Sequence, residues 1–223
     1  MSMSWRHVWI GLRGYLFTYT ESCVRSFSVN LVATPPRYVL LYGGQVVSWV
    51  NERGDQLLFL SEKEFEANKP ICGGIPICFP KVSDVRIEGL EVLDYVDYMK
   101  NNERFNQGSD VVTFESQVNR AYFNTIGMIA VMDHLALRTY TIRKSRGLPD
   151  IVVWNPWEKE LSQWDWKMED LAKGNYRKFV CVEAANVENE ITLKPFEEWI
   201  GIQHLSAHPG SYDDHLPNPG SIL

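Results

Sequence analysis

The chain has 223 residues, 45% hydrophobic and 22% charged, which excludes a disordered chain and allows one large all-β domain or two small ones. Its net charge of −6 argues against nucleic acid or an anionic membrane as the main partner. Four cysteines (Cys23, Cys72, Cys78 and Cys181) contain no C-x-x-C pair. They read as reduced thiols of a cytoplasmic protein, with a plastid as the lesser alternative, and offer no metal framework.

Residues 1–36 stand apart. Arg6, Arg13 and Arg25, several serines and the single acid Glu21 give this stretch a transit-like or divergent character. The apolar run from Val8 to Phe17 is broken by Arg13 and too short to span a bilayer. From Arg37 the pattern becomes β. Tyr38 to Tyr42 and Gln45 to Val50 are β-prone runs, and Asn51-Glu52-Arg53-Gly54 reads as a turn into a strand over Gln56 to Leu60. Cys72 to Pro80 has two glycines, two prolines and no period, which predicts an ordered loop. Strands are expected over Val85 to Glu91, Asp94 to Tyr98 and Asp110 to Glu115. Gly127 to Met132 and Arg138 to Arg143 form a hairpin turned by Asp133-His134-Leu135-Ala136. Ile151 to Trp154 is a further strand, ended by Asn155-Pro156-Trp157.

Leu161, Trp164, Met168 and Leu171 recur at helical steps, and Gly174 supplies a stop. Phe179-Val180-Cys181-Val182 is a buried strand, closed by Glu183 and followed by Ala184-Ala185. Ile191 to Leu193 and Glu198 to Ser206 complete the strands, and residues 210–223 form a turn-rich tail. Many short strands, regular turn signals and one helix predict an all-β fold, an antiparallel β-sandwich over residues 37–209.

Most chemistries lack their motif. The chain has no G-x-x-x-x-G-K-[ST], no G-x-G-x-x-G and no G-x-S-x-G. His204 and His208 lie four apart in a predicted strand, which separates them by about 13 Å and gives no metal geometry. Glu183 is open to two readings. It is a strand-end acid marking the edge of the core, or a desolvated carboxylate with the raised pKa of a general base. Trp154, Trp157, Trp164 and Trp166 cluster ahead of it; they are core and loop aromatics or the wall of a cleft that stacks against sugar C–H faces.

Four blocks decide between these readings. They are Leu41-Tyr42-Gly43-Gly44-Gln45-Val46-Val47-Ser48-Trp49, Gly73-Gly74-Ile75-Pro76-Ile77-Cys78-Phe79-Pro80, Val152-Val153-Trp154-Asn155-Pro156-Trp157 and Val180-Cys181-Val182-Glu183-Ala184-Ala185. In this order they resemble the glucose-6-phosphate 1-epimerases, hexose-6-phosphate mutarotases of the aldose 1-epimerase superfamily, with plant members the nearest in character. The resemblance covers Arg37 to about Pro209. It implies a galactose-mutarotase-like β-supersandwich and interconversion of the α and β anomers of a hexose 6-phosphate, with no cofactor and no metal. It makes Glu183 the catalytic base. Through Tyr95-Val96-Asp97 it makes Asp97 a ligand of sugar hydroxyls.

The chain departs from the family pattern in ways that bear on activity. Cys72 stands where the family has an arginine before G-G-I-P, and Ile202 stands where plant relatives have another. The Q-H-G-x-x-R block and the later catalytic histidine have no counterpart, and Lys81 to Asp84 lead straight into Val85-Arg86-Ile87-Glu88-Gly89-Leu90. A central segment near residues 80–85 is missing relative to the family. Neither His134 nor His204 aligns with the family's acid. The expectation is therefore an impaired mutarotase; the alternatives are a non-catalytic phosphosugar-binding module or a truncated product without function.

Overall fold

A computed structural model describes residues 14–15, 28–29, 46–51, 53–61, 73–75, 78–80, 85–157, 174–189, 191 and 199–210. The expected strand over Tyr38 to Tyr42, the helix over Leu161 to Leu171, most of residues 1–36, Cys72, the Lys81 to Asp84 junction and the tail beyond Gly210 lie outside them. Among the described residues no helix is long and apolar enough to cross a membrane.

Twelve strands are described: β1 (Gly14–Tyr15), β2 (Ser28–Val29), β3 (Cys78–Pro80), β4 (Val85–Glu88), β5 (Asp94–Asp97), β6 (Glu103–Asn106), β7 (Val118–Tyr122), β8 (Met128–Asp133), β9 (Arg138–Ser145), β10 (Asp150–Asn155), β11 (Phe179–Ala185) and β12 (Ile202–Pro209). Strands β1 and β2 pair with each other. The rest form a six-stranded sheet, ordered β3-β11-β10-β7-β5-β6, and a four-stranded sheet, ordered β12-β9-β8-β4. Every pairing is antiparallel. The expected all-β class and the β8–β9 hairpin stand.

One core lies between the two larger sheets. Alternation sends Tyr95, Tyr122, Ile151, Val153, Val180, Val182 and Ala184 inward from the large sheet, and Ile87, Ile129, Val131, Tyr140 and Ile142 inward from the small one. Most of these side chains are fully buried, each worth roughly 1.5–3 kcal/mol of apolar transfer for a Val or Ile.

Several local expectations are corrected. Residues 46–60 form isolated bridges, Val46 with Ile75, Val50 with Gln56 and Leu60 with Gly73, instead of two ladder strands. Side chains take the rungs. Gln56 Oε1 accepts from the Trp49 amide at 2.8 Å, and Asn51 Oδ1 accepts from Arg53 and Asp55 amides at 2.9 Å. The loop from Gly73 gives way to strand β3 at Cys78. Asp110 to Glu115 contributes one bridge, Val112 with Ile87, while β6 and β7 arise where no strand was expected. Ile191 is not in a strand. The reduced-thiol reading fails at Cys181, which is disulfide-bonded. Cysteine spacing along the chain says nothing about pairs that strand registry brings together.

The Gly73-Gly74 turn requires glycine. Both residues have positive φ, +112° and +73°, and a Cβ on either would collide with a backbone carbonyl oxygen, that of Phe59 or Val46. Those close approaches carry hydrogen bonds from Gly74 N to Phe59 O (2.7 Å) and from Ile75 N to Val46 O (2.8 Å).

Candidate active site

Strand β11 carries the candidate base. Val180, Val182 and Ala184 face the core; Phe179, Cys181, Glu183 and Ala185 alternate onto the outer face of the large sheet. Of the seven residues only Glu183 is not fully buried. It does not close the strand, as the sequence suggested, but sits inside it with two residues to spare. Registry places Glu183 opposite Val152, Val152 opposite Ala121, Ala121 opposite Val96 and Val96 opposite Arg104. This row crosses five strands on one face.

The residue keeps part of its surface open while its carboxyl group sits among apolar neighbours. Burial pushes that carboxyl up to about 7, with no contribution from a neighbouring charge or hydrogen bond. A carboxylate that is reachable, unpaired and half-protonated near neutrality can accept and return a proton.

An aromatic tier lies on the same face. Phe179 stacks with Phe59 at 4.8 Å and meets Trp154 at 5.7 Å. Trp154 is half-buried and pairs in register with Cys181, one diagonal step from Glu183. Diagonal neighbours of this kind have Cβ atoms about 7–8 Å apart. The Gly73-Gly74 turn holds Phe59 from behind through the hydrogen bond to its carbonyl.

Two buried polar residues of β10 hold β11 at its ends, and sequence reasoning missed both roles. Asn155 is fully buried; its Nδ2 donates to the carbonyls of Tyr176 (2.8 Å) and Phe179 (2.7 Å), and its Oδ1 accepts from Trp157 N (2.9 Å). Asp150, also fully buried, accepts from Asn124 N (3.1 Å), Val187 N (2.7 Å) and Glu188 N (3.1 Å). The available signal was an acid and an amide bracketing the apolar run Ile151 to Trp154.

Asp97 is not brought to Glu183. It lies in register with Arg120, which is opposite Val153, so its side chain is on the core side of the sheet. Three strand spacings, about 14 Å, separate its strand from β11. It is buried; Oδ1 accepts from Met99 N at 2.9 Å, and Oδ2 lies 3.6 Å from Arg120 Nε, an ion-pair distance too long for a hydrogen bond. Arg120 in turn lies over the Tyr95 ring at 4.7 Å.

The described histidines are elsewhere. His134 is in the β8–β9 turn with its Nε2 buried and unpartnered, while His204 and His208 are on β12 of the small sheet. Among the described residues no group of three or more His, Cys, Asp or Glu side chains could hold a metal ion.

The chain is thus a two-sheet antiparallel β-sandwich that carries a desolvated carboxyl on an aromatic-flanked face of its larger sheet. The chain belongs to the aldose 1-epimerase family, whose model matches residues 79–206, more than half its length. It is 31% identical to a protein of Cenchrus ciliaris described as "Putative glucose-6-phosphate 1-epimerase", over 83% of this chain and 85% of that protein. That alignment spans 285 positions, whereas 83% of 223 residues is about 185, so roughly a hundred aligned positions have no counterpart here. The fold is similar to the crystal structure of HI1317 (TM-score 0.63, 17% identity, 77% of this chain and 88% of that one). It is also similar to that of a protein described as a "putative mutarotase (YeaD)" from Salmonella typhimurium (TM-score 0.66, 13% identity, 74% and 84%).

Proposed function

We propose that the chain handles hexose 6-phosphates, and that Glu183 is the base that takes the proton from the C1 hydroxyl during interconversion of their α and β anomers. The observation that carries this reading is the reachable Glu183 carboxyl at about 7, with burial as its sole cause. The Cenchrus relative's description supports the phosphosugar. Deprotonation of O1 and protonation of the ring oxygen open the pyranose; rotation about C1–C2 and reclosure give the other anomer. Trp154, half-buried and one diagonal step from Glu183, is the aromatic on which the pyranose would stack.

The second half of the proton relay is weak. No described histidine shares the face of Glu183, so water donates to the ring oxygen, and the turnover is expected to fall by about a hundredfold or more below a complete acid–base pair. Anomer equilibration of freshly dissolved α-glucose 6-phosphate in a β-specific coupled assay tests this. A small excess over the spontaneous rate that vanishes in Glu183→Gln is expected. No excess, or an excess that survives in Glu183→Gln, would overturn the role of Glu183.

That missing donor also favours a second reading, a phosphosugar-binding module without turnover. Under it, glucose 6-phosphate quenches tryptophan fluorescence saturably in the parent and not in Trp154→Phe, while anomers equilibrate at the spontaneous rate. A flat titration up to millimolar sugar phosphate would remove it.

A further inference from the structure

We propose that the bonded partner of Cys181 is Cys78, and that this cross-link is a redox-operated clamp holding the edge strand β3 against β11 beside Glu183. Cys181 is disulfide-bonded, and the residue across the β3–β11 ladder from it is Cys78. Directly opposed residues of an antiparallel pair have Cα atoms about 4.5–5.5 Å apart, inside the roughly 4.4–6.8 Å window a disulfide needs. No other described strand brings a cysteine to β11.

The position of this rung gives it a consequence. β3 is the sheet's edge and has three register pairs, Phe179 with Pro80, Val180 with Phe79 and Cys181 with Cys78. Cys181 shares the outer face with Glu183 two residues on, about 6.6–6.8 Å along the strand. So the cross-link ties the edge strand two residues from the carboxyl whose desolvation the site depends on. A covalent bond closing a loop of roughly a hundred residues restrains this edge strongly.

Opening the clamp needs a dithiol reductant. One of its thiolates attacks a sulfur of the bond, forming a mixed disulfide and releasing the other cysteine as a thiolate, which takes up a proton. The reductant's second thiol then displaces the remaining cysteine and leaves as a cyclic disulfide. Two electrons and two protons pass to Cys78 and Cys181, and oxidation reverses the exchange. Once β3 is released, water reaches Glu183 and its carboxyl moves back toward the ordinary range. This regulatory half rests on the role proposed for Glu183; the cross-link does not.

The test uses the full chain purified without reductant and blocked with N-ethylmaleimide. Peptide fragmentation is expected to show Cys78 joined to Cys181, with Cys23 and Cys72 alkylated. Four alkylated cysteines, or Cys181 joined to Cys23 or Cys72, would overturn the assignment. Hydrogen exchange then reads the clamp: dithiothreitol should speed, roughly tenfold or more, exchange of whichever β3 amide, Cys78 or Phe79, bonds to β11. Cys78→Ser should do so without dithiothreitol, and Cys72→Ser should behave as the parent. Unchanged exchange after reduction would show that the bond does not hold β3. Neither readout depends on anomer interconversion, so loss of the proposed activity and loss of the clamp are distinguishable.

Discussion

Glu183 and Asp97 stand on the same sheet, three strands apart, and face opposite ways. Asp97 is turned toward the core, where one oxygen holds the turn after β5 through Met99 N and the other faces Arg120. Glu183 is turned outward, and no hydrogen bond or charge steadies it. The sheet thus separates a carboxylate that supports the fold from one left free for chemistry. Asp150 also supports the fold although it shares the Glu183 face through its register with Ala185, and three backbone amides bond to it at the end of β10.

The division can be broken by mutation. The largest stability effect should come from Asp150→Ala, which strands three amides: about 3–5 kcal/mol, read by denaturant unfolding, with β11 displaced. Glu183→Gln should leave the fold intact and cost any enzymatic excess about a hundredfold, read in the α-glucose 6-phosphate assay. Its stability effect should depend on pH. The folded carboxyl sits at about 7 against an ordinary 4.5, so the stabilisation from its bound proton is complete below about 4.5 and lost as pH rises through 7. At pH 8 the buried carboxylate costs about 3 kcal/mol, so Glu183→Gln should be more stable than the parent at pH 8 and equal to it at pH 4. Asp97→Ala should show the smallest change, about 1–2 kcal/mol of stability with sugar-phosphate binding unaffected. Weakened binding in that variant, with the fold intact, would place Asp97 back in the site.

Within a strand, parity was readable; between strands it was not. Phe179 to Val182 announces a buried strand, and the acid that follows it is the only partly open position of β11. The sandwich class and the β8–β9 hairpin were equally plain from alternation and turn residues. Tyr95 and Asp97 share a face because they are two positions apart, but that this face is the core side of β5, while Glu183 takes the other side of β11, follows from register across β10 and β7. Strand β6, Glu103-Arg104-Phe105-Asn106, is an edge with mostly exposed side chains, and β7 carries Asn119 and Arg120 at its centre, so neither shows an apolar pattern. Pairing with β5 makes them strands, a context that propensity alone does not contain. The same holds for Cys181, whose covalent bond no linear spacing announced.

The central claim is that Glu183 is a desolvated, unpaired carboxyl. Infrared difference spectra of the parent minus Glu183→Gln, recorded from pH 3 to 9, isolate its protonated and ionised bands. A midpoint near 7 is expected. A midpoint near 4.5, the ordinary glutamate value, would contradict the claim and return Glu183 to a solvated surface acid.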